Sequence, residues 1–198
     1  PEPFLGRFAD LDDAPVSVPF SDYTLSRRWK NGEAPAVPTR DFVSNLYDEE
    51  ILAVDQAFAH LMEGLGTELE GTRLAFTADH GEEFWDHGGF EHGHTLNSEL
   101  IRVPLFVIGA DVPTTRSTTL VSHQDLYTTL VGWGGAEPAS GTAGLDLTSL
   151  AGADLPARAI ISEGLLYGGD EVSLIRRTHR LRFDLVESNY RLFCVNRE

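Results

Sequence analysis

The chain has 198 residues, 31 acidic and 15 basic side chains, and a formal net charge of -16. Its length and 41% hydrophobic content predict one globular domain, or one large piece of a bigger one, with enough apolar surface for a core. The acid excess argues against nucleic acid or an anionic membrane as the main partner, because the long-range field repels both. A small anionic substrate stays compatible, since a metal ion and a few aimed donors reverse the field locally. The lone cysteine, Cys194, excludes an internal disulfide framework and a Cys-based zinc site. No apolar run reaches the roughly 18–20 residues of a membrane-spanning helix. The chain opens on Pro1 without an initiator Met and is read as an excised segment, so a missing targeting signal carries no information.

Residues 1 to about 40 are punctuated by Pro1, Pro3, Pro15, Pro19, Pro35 and Pro38 and predict an irregular stretch laid over a surface. A helix follows: Val43, Tyr47, Ile51, Val54, Phe58, Leu61 and Leu65 recur at spacings of three and four, a stripe expected to pack on a sheet, and Gly64 and Gly66 stop it. Thr72–Ala78 reads as a short strand, and Val103–Ile108 as a second, buried one with Pro104 near its start. Ser122 and Asp125 have capping-box spacing and open a helix through Leu130. Residues 132–156 read as a Gly-, Ala- and Pro-rich loop. Ala159–Ser162, Ser173–Thr178 and Leu192–Val195 are candidate strands of a small antiparallel sheet, with His179 on an edge strand. The order of elements predicts an α/β fold with a partly parallel sheet.

Chemistry concentrates between residues 79 and 94. His80, His87, His92 and His94 share this window with Asp79, Glu82, Glu83, Asp86 and Glu91. Imidazole with carboxylate suits zinc, manganese or iron, and carboxylates alone suit calcium or magnesium. Asp79 and His80 stand just past the carboxyl end of a predicted strand, where open α/β sheets place their ligands. Glu82, Glu83, Asp86 and Glu91 are expected to be solvated or to support the ligands from behind. His87 is expected to stabilise the loop, His60 to be exposed, and His123 to open a helix.

The run FTADHGEEFWDHGGFEHGHTLNSELIRVPLFV resembles the C-terminal signature of the sulfatase family within the alkaline-phosphatase superfamily. Its matching parts are Asp79-His80-Gly81, His92-Gly93, and Asn97-Ser98-Glu99 through Arg102-Val103-Pro104. The helix LYDEEILAVDQAFAHLMEGL, the opening PEPF and the segment SHQDLYTTLVGWGG also resemble family segments, so the likeness extends over nearly the whole chain. Asn97 stands where the family usually has Tyr, and Arg102 matches a structural position.

The resemblance implies a partial alkaline-phosphatase-like α/β/α sandwich with a small C-terminal antiparallel sheet. Residues 1–150 would form the C-terminal part of the catalytic domain, and 151–198 a small, truncated sheet subdomain. Asp79 and His80 would bind a divalent metal, calcium first, with manganese or zinc as alternatives. His92 would contact the sulfate or protonate the leaving oxygen, with His94 as the other candidate. The substrate would be a small sulfate ester, its specificity set by loops such as 10–35 and 132–156. A periplasmic or extracellular setting is also implied, and oligomeric state is left open.

The family's nucleophile, converted to formylglycine, lies in a C/S-x-P/A-x-R motif that Cys194-Val195-Asn196-Arg197-Glu198 does not fit, so it is expected upstream. The segment thus carries half of a sulfuric-ester hydrolase site and is expected to be inactive alone. Two alternatives stay open: phosphate, phosphonate or phosphoryl-transfer chemistry on the same scaffold, and a catalytically incomplete structural segment.

Overall fold

The computed structural model describes residues 3–18, 27–29, 31–150, 158–166 and 169–195. Pro1 and Pro19, parts of loop 10–35, the expected loop over 151–156 and residues 196–198 of the C-terminal pentapeptide lie outside them. The chain forms two compact units. The first holds Pro1–Gly93 with Arg102–Ala110; the second holds His94–Ile101 with Asp111–Glu198.

Helix α1 (Val37–Leu65) dominates the first unit. Pro38 falls in its first turn, where a missing N–H costs nothing, and Gly66 ends it at φ 48°. Strands β1 (Leu74–Thr77) and β4 (Leu105–Ile108) pair antiparallel, with Leu74 opposite Ile108 and Thr77 opposite Leu105. Between them comes a hairpin, β2 (Glu83–Phe84) and β3 (Phe90–Glu91).

The apolar stripe of α1 packs on the strand pair through Phe58. Its ring sits 5.3 Å from Phe76 and 5.6 Å from Phe106, which stack on each other at 4.8 Å. Other members of the stripe, Ile51, Val54 and Leu61, are about half exposed, so the expected burial holds for only part of it. β4 likewise alternates between half-buried and exposed residues, which corrects the expectation of a fully buried strand. A second cluster buries Trp29, Val43, Trp85 and Phe90.

The irregular N-terminal stretch is fastened to α1 by one carboxylate. Glu49, 1% exposed, accepts the N–H groups of Gly6 (3.0 Å), Phe8 (2.8 Å) and Ala9 (2.9 Å).

In the second unit, α2 (Ser98–Ile101) is a single turn and α3 (His123–Trp133) begins with the expected capping box. Asp125 accepts the Ser122 N–H at 2.6 Å. It is also fully buried and takes the Leu145 N–H and the Arg158 guanidinium, each at 2.6 Å. One residue thus caps the helix and anchors the following loop.

Four strands close the unit: β5 (Ala159–Glu163), β6 (Glu171–Arg176), β7 (His179–Asp184) and β8 (Asn189–Cys194). They form an antiparallel meander in sequence order. The small antiparallel sheet is as expected, with one strand more. His179 opens β7, which lies inside the sheet and not at its edge. β7 escaped notice because HRLRFD carries charge at alternate positions.

Among the described residues every strand pairing is antiparallel, so the expected parallel pairing is not formed. The physical reason is the connection. Residues 78–104 leave the β1/β4 pair and return at the same end, whereas a parallel pairing needs a crossover to the opposite end.

Candidate functional site

β1 delivers Asp79 and His80. The strand ends at Thr77, and two residues later the chain leaves the sheet with both side chains exposed. The His80 N–H donates to Asp79 Oδ1 at 3.0 Å. That bond, then the nearby His80 ring, holds the Asp79 carboxyl below the usual carboxylate range. The other oxygen, Oδ2, stands 3.7 Å from His80 Nε2. His80 Nδ1 lies 2.9 Å from the Gly81 carbonyl, which can only accept, so the ring proton belongs on Nδ1. Nε2 is left with its lone pair turned toward the carboxylate.

The hairpin brings His92 back to this pair. Glu83 holds the turn: buried at 0% exposure, it accepts the N–H groups of His87 (3.0 Å) and Gly89 (2.7 Å). Trp85 and Glu91 adopt left-handed φ values of 65° and 63°, which cost non-glycine residues energy. Packing offsets the cost at Trp85, which stacks on Phe90 at 4.6 Å and meets the edge of Trp29 at 5.2 Å. The chain then places the His92 ring on that of His80, with centroids 3.9 Å apart.

Glu82 steadies His92 from the other side, its carboxylate 3.2 Å from Nδ1. Burial pushes the Glu82 carboxyl above its ordinary value, against the lowering effect of the bond to His92. An ionised carboxylate only accepts, so this contact places an N–H on Nδ1 of His92.

The first unit therefore assembles Asp79, His80, Glu82 and His92. Glu82 is half-buried and bonded to His92. Glu83 is structural and wholly buried; that it is not solvated follows from its job of binding two loop N–H groups. Asp86 and His87 are exposed, and the His87 backbone N–H donates to Glu83 within the turn. His60 is exposed and His123 begins α3, both as expected.

His94 belongs to the second unit and is half-buried there. The residues after it are bound to the C-terminal sheet. The Leu96 N–H donates to Glu171 Oε2 at 3.0 Å, and the Leu96 carbonyl accepts from Arg180 at 3.2 Å. Arg180 also reaches Ser98 Oγ at 2.8 Å, and Arg182 donates to Asn97 Oδ1. Sequence reasoning missed Glu171, Arg180 and Arg182, although the i, i+2 spacing of the two arginines on a strand was a usable signal.

The donor set suits a hard or borderline divalent cation. A carboxylate oxygen and an imidazole Nε2 face each other at a separation too long for a hydrogen bond, and the ring tautomer leaves Nε2 free to coordinate.

Comparison with known proteins follows the same direction. The chain resembles in structure a provisionally assigned sulfatase from Bacteroides thetaiotaomicron VPI-5482, with a TM-score of 0.73 and 16% identity over 86% of this chain and 39% of that one. It resembles a 2-O GAG sulfatase with a TM-score of 0.70 and 17% identity, covering 86% of this chain and 40% of that one. These likenesses establish the α/β fold of the alkaline-phosphatase type, and the chain spans about two fifths of the length of each structure. An uncharacterised protein of Haemophilus influenzae strain Rd is 29% identical over 85 residues, which are 43% of this chain and 14% of that protein. The sulfatase family model matches residues 17–136, more than half of the chain, and the chain belongs to the sulfatase family.

Proposed function

We propose that the chain supplies the metal-binding pair and the anion-contacting imidazole of a sulfuric-ester hydrolase. One observation carries this reading: the hairpin after β1 folds back so that His92, steadied by Glu82, stacks on His80 beside Asp79. Asp79 Oδ2 and His80 Nε2 would hold a divalent cation, calcium first by family resemblance. When bound, the cation would neutralise charge developing on the sulfuryl oxygens.

The chain's own residues do the rest. The Gly81 carbonyl orients His80, so its Nε2 is presented without rearrangement. Glu82 orients His92 through Nδ1; with a second proton on Nε2, the imidazolium can donate to a sulfate oxygen or pass that proton to the departing alkoxide and return to its Nδ1–H form. His94, in the second unit, is read in its own right as an imidazole able to bind a sulfate oxygen. The nucleophile is assigned outside these 198 residues, because no Cys or Ser here stands in the C/S-x-P/A-x-R setting. Sulfate over phosphate is favoured by membership of the sulfatase family.

Hydrolysis of an aryl sulfate by the whole protein tests the reading. His92→Ala is expected to lower turnover by about 100-fold or more, the usual contribution of a positioned proton donor. Undiminished aryl sulfatase activity in that variant, or a whole protein that hydrolyses aryl phosphate and leaves aryl sulfate untouched, would sink it. The 198-residue chain alone is expected to turn over neither ester.

A further inference from the structure

We propose that the polar face of the C-terminal sheet is a positioning device for the segment that carries His94, with Arg180, Arg182 and Glu171 as positioning residues. The proposal rests on the reading of His94 as an anion-binding imidazole.

In the β6/β7 register Ser173 lies opposite Arg182 and Ile175 opposite Arg180. Residues two apart on a strand share a face, so Glu171, Ser173, Arg180 and Arg182 form one polar surface. The opposite face carries Ile161, Leu174, Leu181 and Leu192 in one cross-strand row, and Ile161 and Leu192 are 61% and 66% exposed. The sheet therefore turns its polar side inward: Arg180 is 2% exposed and Ser173 1%.

Burying a guanidinium is expensive unless its donors are used. Here the Nη1 and Nη2 groups of Arg180 are spent on one short segment, residues 96–98. Glu171 takes the Leu96 N–H, Arg180 takes the Leu96 carbonyl and Ser98 Oγ, and Arg182 takes Asn97 Oδ1. Glu171 also accepts from Arg182 Nε at 2.5 Å, which locks the two β-strand side chains to each other. Both polar groups of Leu96 are thus fixed by the sheet, two residues beyond His94. A planar, multi-donor guanidinium suits this task, because it satisfies a carbonyl and a hydroxyl from one rigid group. An apolar face would have given the sheet stability but no hold on this backbone.

The test uses the full chain, its Arg180→Gln, Arg182→Gln and Arg180→Lys variants, and inorganic sulfate with chloride at matched ionic strength. Amide hydrogen exchange follows Leu96, Asn97 and Ser98; nitrogen-15 shifts of the imidazoles follow sulfate binding. In Arg180→Gln, exchange at 96–98 is expected to rise about tenfold or more while amides in β5–β8 keep their protection. In the same variant the response of His94 to sulfate is expected to fall about threefold or more, with that of His92 unchanged and Arg180→Lys partly restoring His94. Exchange at 96–98 that stays at the wild-type rate would overturn the proposal. So would a loosened segment with an unaltered His94 response, or a wild-type His94 that ignores sulfate. The response of His92 judges the sulfatase reading separately, so the two can fail independently.

Discussion

Two carboxylates are shifted in opposite directions, and their neighbours explain why. Burial acts against the Glu49 charge, yet the N–H groups of Ala9, Phe8, Gly6 and Arg7 outweigh it and draw its pKa below the ordinary 4.5. Glu82 gains less from its single imidazole partner, so burial wins and its pKa rises. The Glu49 shift has a stability consequence with a definite sign. A depressed folded-state pKa adds stability that is full above the unfolded value near 4.5 and lost as pH falls through the lowered value. Melting temperature should therefore decline below that pH in the wild type, with a shallower decline in Glu49→Gln. Glu49→Ala leaves the N–H groups of Gly6, Phe8 and Ala9 without their acceptor, that of Ala9 buried and the other two partly so, and should cost about 2–4 kcal/mol in urea unfolding at neutral pH. A loss under about 1 kcal/mol would mean water replaces the carboxylate there.

At the scale of elements, local patterns and long-range polar contacts were legible to different degrees. The end of β1 at Asp79-His80, the α1 stripe and the Ser122–Asp125 capping box are written in neighbouring residues, and the structure contains them. The roles of Glu49, Glu83, Arg180 and Arg182 were not legible, because each is decided by a partner that spacing does not reveal. Glu49 sits on a helix face where an acid ordinarily meets solvent, and its partners lie about forty residues away. β7 hid for the same reason: its alternating charges face inward, onto a backbone more than eighty residues earlier. The loop after α3 adds a tight packing requirement. A Cβ at Gly144 would stand 2.2 Å from the Gln124 carbonyl oxygen and 2.3 Å from Thr128 Oγ1. Gly144→Ala should destabilise the protein by about 1–3 kcal/mol, the usual cost of overpacking, measured by urea unfolding. Gly141→Ala has open space but a φ of 88°, so its penalty should come from backbone strain alone.

For the molecule as a whole, the charge of -16 and the reading as a sulfate-ester site are compatible because they act at different ranges. The net field acts over a Debye length, while the proposed anion site would depend on a cation and imidazoles grouped within a few ångströms. No helix among the described residues is long and apolar enough to cross a membrane. Calorimetric titration of calcium and manganese into the protein asks whether Asp79 and His80 form the proposed cation-binding pair. Asp79→Ala and His80→Ala should each weaken binding by about tenfold or more, while Asp55→Ala, an exposed acid on α1, should leave it unchanged. Equal affinity in the wild type and Asp79→Ala, or an equal loss in Asp55→Ala, would contradict the account.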